Sequence, residues 1–421
     1  MDEARMDSSN TQDVIVIGAG IIGISIALKL QSEGRQVLVL DKKGVAAETS
    51  SGNAGAFAFA DVIPLATPGI MRKAPNWLID PLGPLSLRPK YALKILPWLL
   101  RFWRASWQDK YQAALAAQAS LMTLSKAALE RQIDAVDGEA MIRREGQLQL
   151  YEGRDEFNAS LASWQTRQQH GVLYEFLLTP EAIAKIQPGI DPRFTHAAYT
   201  PEWKNVCDPA QWTQHLANEF EKRGGKIAIA SIHALELKND SVHLKSDAVD
   251  YEANQVVLAA GAWSKKLAKS VGDSLPLDTE RGYNTTLPAG PFHLKTHITF
   301  SNHGFVVTKV GNGVRIGGAV ELGGLNLPPN YQRAEVLLNK ATSFLPGLNV
   351  AGGKQWMGFR PSMPDSLPVI SYSSRSKRVI YAFGHGHLGL TQSAGTAELV
   401  ASLANDQTPD IDLTPFSAAR F

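Results

Sequence analysis

Taken as a pattern of apolar and polar positions, the chain opens on a strand–turn–helix–strand unit. Asp13–Ile17 is a short apolar run and Ile21–Gln31 is an Ile-, Ala- and Leu-rich stretch of helical length. Arg35–Leu40 is a second apolar run, bounded by Gly34 and Asp41. This order opens a doubly wound sheet. From Asp61 to Pro97 prolines recur (Pro64, Pro68, Pro75, Pro81, Pro84, Pro89, Pro97), which predicts short regular elements. Ala113–Val136 has helical composition and Gly146–Tyr151 reads as a strand. Asp208-Pro209 is a helix start, with Asp as N-cap and Pro in the first turn, and the helix it opens should end at Gly224-Gly225. Strands are expected at Lys226–Ala230, Gln255–Ala259 and Val379–Phe383. A hairpin is expected around Gly311-Asn312-Gly313, and a helix over Thr391–Leu403. The nucleotide-type opening, mixed middle and final strand–turn–helix predict two domains interleaved in sequence.

The turn between the first strand and helix reads Gly18-Ala19-Gly20-Ile21-Ile22-Gly23. The first glycine permits the tight turn, the second allows backbone to approach a pyrophosphate, and the third lets helix and strand pack closely. The free N–H groups of the helix start then face phosphate. With a strand before, a helix after and Asp41 ending the second strand, the motif reads as a dinucleotide site. Asp41 would accept bonds from ribose hydroxyls and repel a 2′-phosphate.

Composition narrows the classes. The 421 residues carry a formal charge of +2, and 44% are hydrophobic. No basic excess points to nucleic acid as a partner. The single cysteine, Cys207, rules out an internal disulfide and a cysteine-rich metal site, so no metal is expected. Met1 to Gln12 is polar and acidic and reads as a disordered lead, not a signal peptide. No uninterrupted apolar stretch nears the ~20 residues of a spanning helix. A cytoplasmic location is expected, with attachment to the inner face of the cell membrane as the alternative.

Further stretches carry a resemblance. These are Glu48-Thr49-Ser50-Ser51-Gly52-Asn53-Ala54-Gly55, Val257-Leu258-Ala259-Ala260-Gly261-Ala262-Trp263-Ser264, and Gly358-Phe359-Arg360-Pro361 with Pro364-Asp365 and Pro368-Val369-Ile370. The last is Gly384-His385-Gly386-His387-Leu388-Gly389. In content and order they resemble the D-amino-acid oxidase superfamily, and within it bacterial D-amino-acid dehydrogenases. The resemblance implies a Rossmann-like α/β domain for FAD (13–90, 196–265, 350–421), interleaved with an α+β substrate domain built on an antiparallel sheet (91–195, 266–349). It also implies oxidation of a small D-amino acid, by hydride transfer from Cα to flavin N5.

The same resemblance distributes roles. Gly18, Gly20, Gly23, Asp41 and Lys42 belong to the adenosine and pyrophosphate end. Thr49, Ser50, Asn53, Ala54 and Gly55 follow the pyrophosphate and ring, while Ala260 and Gly261 lie under the adenosine half. Gly386, His387, Leu388 and Gly389 are expected ring contacts, mainly through backbone, because a helix N-terminus favours developing negative charge. Arg360 would hold the substrate α-carboxylate as a two-pronged partner, or else pair structurally with Asp365. Tyr283 is a second candidate for that carboxylate or a packed core tyrosine, and His387 a positioning residue or a plain turn histidine. No cysteine lies at 355–375, so noncovalent FAD is expected, with Cys207 an ordinary thiol.

Tyr91–Trp107 is basic and aromatic. It either lies in a membrane interface, suiting electron transfer to a quinone or respiratory chain, or packs on the substrate domain, and Pro97 should break its helix. The Pro-rich insert from Ile63-Pro64 is similar to members that use D-proline or cis-4-hydroxy-D-proline. Open alternatives are a glycine or sarcosine oxidase and the flavin subunit of a multi-chain dehydrogenase.

Overall fold

The computed structural model describes residues 11–72 and 85–421. Part of the Pro-rich insert, residues 73–84, therefore lies outside the described residues, as does most of the N-terminal lead.

Two large sheets organise the chain. In the first, Gln12–Ile17 lies between Val37–Asp41 and Tyr251–Leu258, all parallel, with Lys226–Ile229 beyond Val37–Asp41. Val379–Phe383 pairs parallel to residues 256–258, and Val242–Ser246 antiparallel to 251–253 of the same strand. Apart from the edge strand Lys226–Ile229, the parallel strands are largely buried, which is why they read as continuous apolar runs and not as alternations. The helix Ile21–Ser32 packs on one face against Gly389–Ala404 and Pro209–Lys222. Asp208 caps the latter, its carboxylate accepting the N–H of Ala210 (2.8 Å) and Gln211 (3.1 Å), with Pro209 in the first turn.

The second sheet has nine strands and is largely antiparallel. Its order runs Lys354–Ser362, Asp278–Leu287, Gly313–Leu322, Phe305–Val310, His297–Phe300, Gln147–Glu152, Phe194–Thr200 and Glu175–Leu177. The expected hairpin is present, with Val310 paired to Gly313 across Gly311-Asn312. Leu85–Leu87 pairs with residues 320–322 of the same sheet. The domain edges expected from the sequence therefore move. Residues 85–87, 194–200 and 354–362 belong to the substrate-side sheet, whereas the sequence motifs assign 85–90, 196–200 and 350–362 to the dinucleotide unit. Backbone pairing across long sequence separations decides this, and no local pattern records it.

Helix Gln108–Ala135 moves the other way. Ala114, Leu121, Met122 and Leu129 join the apolar core of the dinucleotide unit, against Gly389–Ala404. The two helices meet where Gly395 faces Ser125; a Cβ on Gly395 would come within 2.4 Å of Ser125 Oγ and 3.1 Å of its backbone N. Ala92–Ala105 is a single helix that runs through Pro97, contrary to the expected break. Burial of Ile95 and Trp98, packed with Tyr91 and Leu322, outweighs the one helical bond that Pro97 cannot make.

Gly395→Ala gains up to ~1 kcal/mol of helix propensity but overpacks this crossing by ~1–3 kcal/mol. A net loss of stability is expected, read as a lower midpoint in thermal unfolding. An unchanged midpoint would show that the helices separate freely here.

Candidate active site

One cavity of about 1210 Å³ runs between the two sheets, from Asp41 and His233 at one end to Arg360 and His387 at the other. It exceeds the ~300–1,000 Å³ of common ligand pockets, as an extended dinucleotide plus a substrate requires.

The dinucleotide end is built from backbone. Gly18 has φ +111°, and a Cβ there would sit 2.4 Å from the Ala259 carbonyl oxygen. Gly23 lies behind the turn, where a Cβ would meet the Gly18 carbonyl oxygen at 1.8 Å, so its contribution is packing and not ligand contact. Asp41 ends its strand with a carboxylate that accepts N–H groups from Ala19 (2.9 Å), Lys43 (2.7 Å) and Gly44 (3.0 Å). Its remaining acceptor capacity faces the cavity. Lys42 lies over the Trp263 ring at 3.6 Å, and burial lowers its pKa. Ser50 Oγ accepts the Ile21 N–H at 2.9 Å, tying the loop 49–55 to the start of the helix.

That loop is held from the substrate-side sheet by residues that no sequence motif marks. Asn284 donates to the Gly52 carbonyl (2.7 Å), and Arg315 to the carbonyls of Asn53 (2.6 Å) and Ser51 (3.2 Å). Thr49 donates to the Phe359 carbonyl (2.9 Å). The Trp356 ring lies across Gly52, where a Cβ would meet it at 2.4 Å. Asn53 closes the loop on itself, bonding the Ser50 carbonyl and the Gly55 N–H. Ala54, Ala260, Gly261, Gly386, His387 and Gly389 all line the cavity. Gly55 and Leu388 do not: Gly55 is a left-handed backbone corner at φ +67°, and Leu388 joins the apolar core.

At the far end the helix Gly389–Ala404 starts at Leu388 with no side-chain cap, and Gly389 and Leu390 line the cavity. Gly386 is pinned through its N–H to the Pro361 carbonyl (2.7 Å), which brings this turn beside Arg360. Arg360 is half-buried and opens onto the cavity. Its one hydrogen bond among the described residues goes from Nη1 to the Ala319 carbonyl at 3.0 Å. Ala319 holds the strained φ of +55° that aims this carbonyl, and the guanidinium lies over Gly282, where a Cβ would be 2.4 Å from Nη2. Asp365 is bonded to Arg420 at 2.6 Å, so the alternative pairing of Arg360 with Asp365 is not made. Burial pulls the Arg360 pKa down, with Glu280 working against it.

Tyr283 lines the cavity together with Glu280, Gly282 and Asn284. It is buried, and its hydroxyl is already engaged, donating to Glu321 (3.0 Å) and accepting from the Asn330 N–H (2.9 Å). Cys207 is a free thiol and is not among the residues lining the cavity. No group of described residues is suited to a metal ion.

Three histidines border this space. His387 presents its ring to the cavity and His385 bonds Thr396 Oγ1 at 3.0 Å, while His297 has no partner for either ring nitrogen among the described residues. Burial pushes His297 and His385 down to about 3 and lowers His387 as well. The burial of His297 and His385 is not legible in the sequence, because it depends on elements far away in the chain, whereas His387 stays exposed at the cavity wall.

Residues 13–403 match the DAO family, FAD dependent oxidoreductase. The chain belongs to that family. It is 36% identical over 416 residues to a D-amino-acid oxidase of Bradyrhizobium diazoefficiens, covering 97% of this chain and 98% of the relative. It is 30% identical over 417 residues to a D-amino acid dehydrogenase of Rhizobium johnstonii, covering 97% and 99%. Among solved structures, glycine oxidase from Geobacillus kaustophilus matches with a TM-score of 0.78 at 20% identity, over 98% of this chain and all of that one. L-proline dehydrogenase from P. horikoshii matches with 0.75 at 18%, over 98% of each. The family is FAD-dependent, and the cavity fits that cofactor: a glycine turn cleared of side chains, an acid at the ribose end and an uncapped helix start at the other.

The buried histidines give a pH dependence of stability. Unfolded histidine titrates near ~6.5, and the folded values lie below that. Below about pH 6.5 the unfolded chain therefore binds protons that the folded chain refuses. Stability is fully present above this point and should be lost progressively as pH falls toward 3. His297→Gln should reduce the proton uptake on unfolding by close to one between pH 6 and 4, measured from thermal midpoints and enthalpies. An unchanged uptake would place His297 in water.

Proposed function

We propose that this enzyme is an FAD-dependent dehydrogenase of small D-amino acids. The observation that carries the reading is Arg360, a half-buried guanidinium beside the uncapped helix start with a single backbone partner among the described residues. Such a group binds a carboxylate through two parallel N–H···O bonds, which supports an amino acid as the occupant of this end of the cavity. The D-amino-acid activities of relatives at 36% and 30% identity support the stereochemistry. Bound FAD, held noncovalently, supplies the two-electron acceptor that takes the Cα hydrogen as hydride. The protein's part is to orient and exclude water: Arg360 fixes the carboxylate, and the helix start at Gly389 favours negative charge.

D-Proline and cis-4-hydroxy-D-proline are the proposed substrates, on the resemblance of the insert from Ile63. A second reading, an oxidase that passes electrons to oxygen, is favoured by the name of the 36% identical relative. For the dehydrogenase, a quinone acceptor is supported by helix Ala92–Ala105. Leu93 (88% exposed), Leu96, Leu100 and Trp103 share its outward face, with Trp107 just beyond its end and Lys94 and Arg101 also exposed. An apolar helical face among cations suits an anionic lipid surface at the inner face of the cell membrane. No helix among the described residues is long and apolar enough to cross a membrane.

Anaerobic titration with D- and L-amino acids is the direct test. D-isomers should bleach the flavin, and Arg360→Ala should cut kcat/KM by about 10²-fold or more by removing a charged bidentate contact. Near-wild-type turnover in that variant would place the carboxylate elsewhere. Rapid peroxide formation on readmitting air would select the oxidase. Co-sedimentation with phosphatidylglycerol vesicles should fall severalfold in Leu93→Ser/Leu100→Ser. Equal binding by variant and wild type would remove the membrane role.

A further inference from the structure

The reacting end of the cavity holds an acid that none of the roles above uses. Glu280 stands opposite Arg360 in the pairing of Asp278–Leu287 with Lys354–Ser362, on the same sheet face. It is 6% exposed, and the structure gives its carboxylate no hydrogen bond or ion pair with any described residue. It lies within electrostatic reach of Arg360 and His387. An enclosed carboxylate without a bonded partner is costly, and a cation placed against it offsets that cost.

Glu280 also lines a second chamber of about 20 Å³ that meets the main cavity at Leu65, Glu280, His385, Gly386 and His387. That volume suffices for one water. Gln118 and Ser362, which line the chamber, each carry a buried oxygen without a partner among the described residues (Oε1 and Oγ). The chamber is thus polar where it adjoins Glu280, and its unmatched oxygens fit a bridging water.

An amino acid held by its carboxylate on Arg360 brings an α-ammonium to this acid. Oxidation at Cα requires the nitrogen lone pair, and the ammonium of a free amino acid is protonated at neutral pH. Resting on the amino-acid reading above, we propose that Glu280 pairs with the substrate ammonium and accepts its proton. In this step an N–H bond breaks, its electron pair stays on nitrogen, and Glu280 becomes a neutral acid. The Cα–H electron pair then leaves as hydride to FAD, the oxidant of the family activity, while the nitrogen lone pair forms the C=N bond of an iminium product. The proton on Glu280 departs through water in the chamber beside Gln118 and Ser362.

The other titratable or charged groups lining this part of the cavity are Asp61, Tyr91, Lys94, Arg167, Asp278, Tyr283, His297, Arg360, His385 and His387. Asp61 is the competing acid, since it too acts electrostatically on His387. Glu280 carries no signal in the sequence, because a glutamate in an alternating strand reads as a solvated position. Its burial is set by tertiary packing, where residues as distant as Phe102, Gln118, Ser362 and His385 line the same chamber.

The experiment compares holoenzyme and Glu280→Gln, Glu280→Asp and Asp61→Asn variants, each first checked for bound FAD and thermal midpoint. Anaerobic flavin reduction by the best D-amino acid is followed from pH 7 to 10. Glu280→Gln should be slower by about 10²-fold at pH 7, the usual weight of a positioned base. The deficit should shrink steadily toward pH 10, as a growing fraction of free substrate is deprotonated, and Glu280→Asp should recover part of the rate. A second readout needs no turnover. α-Aminoisobutyrate carries the ammonium but no Cα–H, and 2-hydroxyisobutyrate lacks the ammonium; both are titrated by their perturbation of the flavin spectrum. Glu280→Gln should weaken only the first, roughly tenfold.

A wild-type rate in Glu280→Gln, a deficit constant with pH, or the pH-dependent loss appearing in Asp61→Asn instead would each overturn the assignment. Failure of every D-amino acid to bleach the wild-type flavin would instead sink the substrate reading. The paired ligands would still report on Glu280 in that case.

Discussion

A half-buried guanidinium with one backbone carbonyl for a partner is the constraint around which this molecule is arranged. Arg360 has five N–H donors, and the described residues supply an acceptor for one of them. Room for the group comes from Gly282, whose missing side chain is replaced by the guanidinium, and its aim comes from Ala319, held at positive φ. Both positions lie on strands of the second sheet, while the turn that flanks Arg360 belongs to the last strand–helix crossing of the first. The two sheets must therefore meet in one register for this end of the cavity to exist.

The same junction fixes the loop 49–55. Three of its carbonyls are tied down from the second sheet by Asn284 and Arg315, and Gly52 lies under the Trp356 ring. A loop of small residues would otherwise be mobile. Here its backbone holds the cofactor groove open, and Gly52 is bare because any Cβ there would strike the ring. The first sheet alone does not position this loop; residues of the second sheet hold it in place.

Much of the fold and of the cofactor end is legible in the sequence. Gly18, Gly20, Gly23 and Asp41 state their roles locally, since a tight turn, a close helix–strand approach and an acid at a strand end are properties of neighbouring residues. The parallel strands and the Asp208-capped helix are legible for the same reason. Less can be read at the reacting end. Tyr283 lines the cavity, yet its hydroxyl is engaged by Glu321 and the Asn330 N–H, partners that no local pattern announces. Pro97 reads as a helix breaker, yet the burial of Ile95 and Trp98 carries the helix through it.

What the sequence by itself determined is therefore the class of fold, the dinucleotide turn and the motif that carries Arg360, because each rests on short-range geometry. Only the tertiary structure decided which acid stands opposite Arg360, which histidines are kept neutral and which strands change sheet. Those outcomes depend on burial and on pairing between residues far apart in the chain. A glutamate carries no mark of its own that shows whether tertiary packing will bury it.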